Sequence, residues 1–188
     1  TWLLFRGYSK SKYDIDLKDI VTPLFAQAPI LYKKMEDNSL EAAINFWHFN
    51  AKLESKNIKP LLEIKDILQE LGIQKDVSFV GWTFNTQFAN NNKEIINGFL
   101  KASKESKEIL KNSDEEWNRI KEQMNVKNDK EFEALKNGYK KGIIEEFDEE
   151  SINDLQKVFK ILLTEGGEKF VEDAVFLDNN IFWNFDSK

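Results

Sequence analysis

A run of small and apolar residues, Leu40 to Phe46, breaks off in a cluster of large side chains, Phe46-Trp47-His48-Phe49. The run reads as a short buried strand, and Phe49 to Lys56 reads as an amphipathic helix directly after it. Asn45, Trp47 and His48, the sole histidine, then sit where a strand hands over to a helix. In open α/β folds the crevice at the carboxyl ends of strands is where ligands bind. Aromatic faces with a few polar groups suit a small organic ligand. These residues point to a binding site rather than to a reaction.

The same alternation extends to either side. Thr1 to Tyr13 reads as a helix with Trp2 and Phe5 on its apolar side and Thr1 as N-cap. Ile20 to Leu24 reads as a strand, and Ala26 to Met35 as a helix with Pro29 in its first turn. Leu61 to Ile64 is a third strand, and Ile67 to Leu71 a helical turn closed by Gly72. Val77 to Phe84, VSFVGWTF, is β-branched and aromatic throughout and reads as a central strand. Strands alternating with helices predict an α/β fold with a parallel-type sheet.

Beyond Asn85 the character turns helical. Asn92 to Lys111 is one long amphipathic pattern with Ile95, Ile96, Phe99, Leu100 and Leu110 expected to face inward. Ser113 opens SDEEW with Glu116 at the capping-box position. Asp129 to Lys141 and Glu150 to Leu163 follow, the latter closed by Gly166-Gly167. There is no internal repeat and no heptad lasting several turns.

Composition removes several classes of function. The formal charge is -6, and Lys and Glu alternate along helical faces without a basic stripe. Nucleic-acid binding is not expected, because phosphate neutralisation needs clustered Lys and Arg. The absence of cysteine removes disulfides, zinc ribbons and thiol nucleophiles. No run of 18 apolar residues exists, so no segment is expected to span a membrane. The chain opens with TWLLF and no initiator Met, which suggests an incomplete or processed product. HExxH, GxSxG, Walker and GxGxxG patterns are missing, and neither a metal nor a cofactor is expected.

In its order of motifs the chain resembles the substrate-binding proteins of ABC importers of the nitrate, sulfonate, taurine and thiamine-precursor type. Glu41-Ala42-Ala43-Ile44-Asn45-Phe46-Trp47 stands where that family has a small-residue strand ending in an aromatic. VSFVGWTF resembles its return strand, and Asn90 to Ala102 its next helix. His48 and Phe49 depart from the usual acidic residue and proline, and Asn45 from the usual small residue. The resemblance implies a periplasmic-binding-protein type II-like fold of two lobes with parallel-type sheets and a helical C-terminal half. Residues 1–76 would form the second α/β lobe and 77–188 the return to the first. The first lobe's own N-terminal strands, on the order of a hundred residues, would lie ahead of Trp2. It also implies a small organic or oxyanion ligand, a membrane permease as partner, and a location in the periplasm or on a lipid anchor outside the cytoplasmic membrane.

The resemblance places Thr1 and Trp2 at a helix start aimed into the cleft, where free N–H groups favour an anion. Ordinary N-capping is the plainer account. Asn45, Trp47 and His48 would enclose the ligand, or else wedge a hinge. Trp82 and Thr83 come from the return strand, and alternation lets only one of them face the cleft. Acidic runs such as Asp114-Glu115-Glu116 suit helix starts and solvated faces. Two rival readings remain. One is a menaquinone-pathway lyase on the same fold. The other is an interaction protein that docks a partner through its helical C-terminal half, for which an exposed apolar patch along Phe159 to Phe185 would speak.

Overall fold

Every regular segment among the described residues, 1–167 and 175–183 of the computed structural model, is helical. Ten α-helices and one 3₁₀ turn, Asn179–Ile181, account for them. The chain divides into two compact units, Thr1–Val77 with Ile144–Ile181, and Ser78–Ile143 with Phe182–Lys188. The first unit holds α1 (Trp2–Tyr13), α2 (Leu17–Ile20), α3 (Ala28–Glu36), α4 (Trp47–Glu54), α5 (Ile64–Glu70) and α10 (Glu149–Gly166). The second holds α6 (Thr86–Asn91), α7 (Lys93–Asn112), α8 (Asp114–Ile120) and α9 (Asp129–Lys141).

The α/β expectation is therefore wrong: no strand and no sheet exists among the described residues, so two lobes built on parallel sheets are not present there. Each run read as a strand does something else. Ile20 ends α2, and the chain from Val21 to Gln27 is irregular. Leu40 to Phe46 is the loop between α3 and α4, and Ile64 begins α5. Val77 is buried in the first unit's core, whereas the following residues to Phe84 are irregular. A strand needs a neighbour to take its backbone hydrogen bonds, so a β-favourable composition alone does not make one.

Helix ends, by contrast, follow local chemistry. Asn85, Ser113, Asn128 and Asp148 each accept a backbone N–H from the third residue of the helix they open. Asp148 and Ser151 form a reciprocal capping box, and so do Glu63 and Asp66. Pro29 lies in the first turn of α3, where its missing N–H costs nothing.

The first unit's core forms where α1 packs on α5 and α10. Leu4 and Tyr8 of α1 meet Ile67 and Leu68 of α5, Ile73, Val77 and Val158 of α10. Gly7 lets α1 and α10 approach: a Cβ there would lie 3.3 Å from Ile161 Cγ2.

Beside this core an ion cluster joins α1, the start of α2 and the end of α10. Arg6 Nε and Nη2 donate to Asp16 Oδ1 and Oδ2, both at 2.8 Å, and Nη1 donates to the Glu165 carbonyl at 2.7 Å. Asp16 is also the N-cap of α2, accepting from Lys18 N at 3.2 Å. Lys10 Nζ adds 2.8 Å to Glu165 Oε2 and 3.1 Å to Asp16 Oδ2. The Arg6 hydrogen bonds hold the Asp16 carboxyl far below the usual carboxylate range. A second such carboxylate, Asp154, is buried; its desolvation is outweighed by bonds from Lys157 Nζ at 2.6 Å and Lys75 N at 3.0 Å. The Lys75 bond fastens the 72–77 loop to α10.

Two measurements check this core. Ile67 is fully buried, so Ile67→Ala should lower the free energy of unfolding by about 2–5 kcal/mol in urea denaturation. Asp16 has a depressed folded pKa, so its contribution is complete above its unfolded value of about 3.9 and is withdrawn progressively as pH falls below that value toward the folded pKa. Between about pH 5 and pH 2 the wild-type urea midpoint should therefore fall more steeply than that of Asp16→Asn, which keeps the cap but not the charge.

Candidate functional site

Three of the residues singled out in the sequence meet at the corner between α3 and α4. Asn45 Nδ2 donates to the Ala28 carbonyl at 3.0 Å, and its Oδ1 accepts from Phe46 N at 2.9 Å. Asn50 Nδ2 reaches back to the Asn45 carbonyl at 3.3 Å. Asn45 thus pins the loop to the start of α3 and sets where α4 begins. Phe49 packs on Tyr32, with ring centroids 5.7 Å apart, and Lys56 Nζ lies 5.3 Å above the same tyrosine ring.

His48 is set among rings. Phe46 stacks parallel to it at 6.0 Å, Trp47 stands edge-on at 5.7 Å, and Phe49 is tilted at 4.5 Å. Burial, and then repulsion from Lys52, push the imidazole below the ordinary histidine pKa. A neutral, ring-stacked imidazole is suited to packing. The described residues contain no group of three His, Cys, Asp or Glu side chains that could hold a metal ion. The outer members of the cluster, Phe46 and Trp47, are exposed.

Thr1 stands at the N-cap of α1 without a side-chain cap bond, and Trp2 is half-buried in the helix's first turn. Trp82 and Thr83 belong to the second unit. There Trp82 Nε1 donates to Ser103 Oγ at 3.0 Å, and the Trp82 ring meets Phe99 edge-on at 5.0 Å. Phe84 also stands edge-on to Phe99, at 6.0 Å. Residues 82 and 84 thus share the α7 side of an extended run, and exposed Thr83 lies between them.

The helix those aromatics rest on is the feature that sequence reasoning misread. Ile95, Ile96, Phe99, Leu100 and Leu110 were all expected to face inward. The structure divides them into two parallel stripes. Ile96 is 2% exposed, and Leu100, Ser103 and Leu110 follow it into the unit. Leu110 offers its carbonyl to Trp117 Nε1 of α8 at 2.5 Å, and Trp117 meets Tyr139 of α9 edge-on at 5.5 Å. One position round the helix, Ile95, Phe99, Ala102, Ser106 and Ile109 are all exposed; Ile95 shows 61%, Phe99 42% and Ile109 51% of its surface. Their spacing, 4-3-4-3, averages 3.5 residues and keeps them on one side of a helix. Two heptads interrupted by Ala102 and Ser106 are too brief to stand out in a sequence scan. Trp82, 60% exposed, borders this outer stripe.

No helix among the described residues is long and apolar enough to cross a membrane. No protein-family model matches the chain, and no curated protein matches it significantly.

The environment of His48 gives a direct check. Its NMR titration midpoint should lie below the ordinary value of about 6.5. Phe46→Ala, which opens one ring face to water, should move the midpoint back upward.

Proposed function

We propose that the chain is an interaction protein whose α7 offers its outer apolar stripe to a protein partner. The observation that carries this reading is the pair of stripes on one helix. The inner stripe already anchors α7 to its unit through Ile96 and Leu110, so the outer one is not needed for that anchoring. Burying a side chain the size of Ile or Phe is worth about 1.5–3 kcal/mol over leaving it in water. Ile95, Ile109 and the part of Phe99 that Trp82 and Phe84 leave uncovered therefore hold a reserve of binding energy that the described fold does not use. Clustered exposed apolar side chains of this kind mark interaction surfaces. Further exposed apolar residues, Val175, Phe176 and Ile181, occur in the tail singled out from sequence, parts of which (168–174 and 184–188) lie outside the described residues.

The solute-importer reading took its site from the carboxyl ends of strands. Without strands among the described residues, no observation favours it over docking. The lyase alternative needed the same fold, and the ring-stacked His48 supplies no acid–base pair for it.

A benzophenone amino acid placed at Ala102, in the middle of the outer stripe, should give one discrete covalent adduct on irradiation of cells that produce the protein. Ile95→Asp with Phe99→Asp should abolish that adduct, and the same probe at exposed Glu122 should give none. A smear at both positions, or an adduct indifferent to the double substitution, would remove the reading.

A further inference from the structure

The outer stripe of α7 has two flanks, and they differ. On one side lie Ile96, Ser103 and Leu110, which face the unit itself. On the other side, one and two positions round the helix, lie Gly98, Glu105 and Asn112, and then Glu94, Lys101 and Glu108, all exposed. The open flank thus sets three glutamates against one lysine. Lys101 and Glu105 stand 4.0 Å apart and partly compensate each other, leaving the net charge of the flank negative. Between Phe99 and Ile109 the stripe carries only the small, exposed side chains of Ala102 and Ser106, which leave room for a large apolar knob from a facing helix.

Resting on the docking reading above, we infer that the partner is an amphipathic helix with an apolar seam and a lysine- or arginine-rich flank, laid along α7 with that flank against Glu94, Glu105 and Glu108. Helix-in-groove recognition reads such anchors at three- and four-residue intervals, and complementary flanking charge fixes partner and direction. A second copy of this chain does not meet the requirement. Antiparallel pairing of two α7 helices would bring two acidic flanks together. Parallel pairing would set Glu105 against positions such as Ser103 and Leu110, which the unit already occupies with Trp82 and Trp117. A foreign basic helix satisfies both the seam and the flank.

The test is fluorescence anisotropy on the full chain with three labelled designed peptides. The first is a helix with a leucine seam and lysine flanks, the second has glutamate in place of those lysines, and the third scrambles the first. The lysine-flanked helix should bind about tenfold tighter than the glutamate-flanked one, the summed effect of two or three exposed ion pairs. The scrambled peptide should not bind. Phe99→Asp should abolish binding, and the triple variant Glu94→Lys, Glu105→Lys, Glu108→Lys should reverse the order of the two helices. Circular dichroism melts would confirm that these surface variants stay folded. Equal or tighter binding of the glutamate-flanked helix would overturn the inference, and so would equal binding of the scrambled peptide. A Phe99-dependent dimer in sedimentation would replace the basic helix with a second copy. If no peptide binds while the Ala102 adduct forms, the basic-helix inference falls and the docking reading stands; if the adduct is also absent, both fall.

Discussion

Arg6 spends all three arms of its guanidinium on one junction. Two nitrogens hold Asp16, which in turn opens α2, and the third holds the last-turn carbonyl of Glu165 in α10. Residues 159 positions apart are thereby joined through a planar, permanently charged group. The apolar contacts of Leu4, Ile67 and Val158 supply the non-directional attraction at this place, but they would tolerate several helix rotations. The forked geometry of Arg6 tolerates few, because removing it would leave the largely covered Asp16 carboxylate without its two-pronged partner and the Glu165 carbonyl without its donor. The close passage at Gly7 depends on the same register between α1 and α10.

The second unit is organised differently. Asp114 joins α8 to α9 through Lys136 and Lys140 at its surface, and inside it Trp117 sits between the Leu110 carbonyl and the Tyr139 ring. That indole sets which side of α7 turns inward. Once Ile96 and Leu110 are taken by the unit, the neighbouring stripe is left in water by geometry alone: a helix has one surface and two stripes cannot both face the same neighbour. The aromatic run that ends at Phe84 then rests against Phe99 without covering it. A candidate docking surface and the unit's own packing are in this sense one arrangement.

At the α3–α4 corner, residues singled out as ligand-site candidates also hold a loop. Asn45 spends its amide on Ala28 and on its own neighbour, and His48 lies within a stack of rings. The residue types that suit a ligand site, amides and aromatics, are also those that fasten an irregular loop to a helix, and sequence does not separate the two uses.

Helices were legible because their causes are local. A 3.6-residue period and a capping side chain three positions before an N–H both lie within a few residues, so α1, α7, α9 and α10 were placed nearly as the structure has them. Strands were not legible, since VSFVGWTF has every local property of one and lacks only the partner whose backbone would accept its hydrogen bonds. The α/β fold expected from the resemblance to importer proteins rested on the same runs. By itself the sequence determined helix positions, caps and the acidic, cysteine-free character of the chain. Only tertiary structure decided which half of α7 is covered and that His48 packs among rings, because burial depends on neighbours brought from distant parts of the chain.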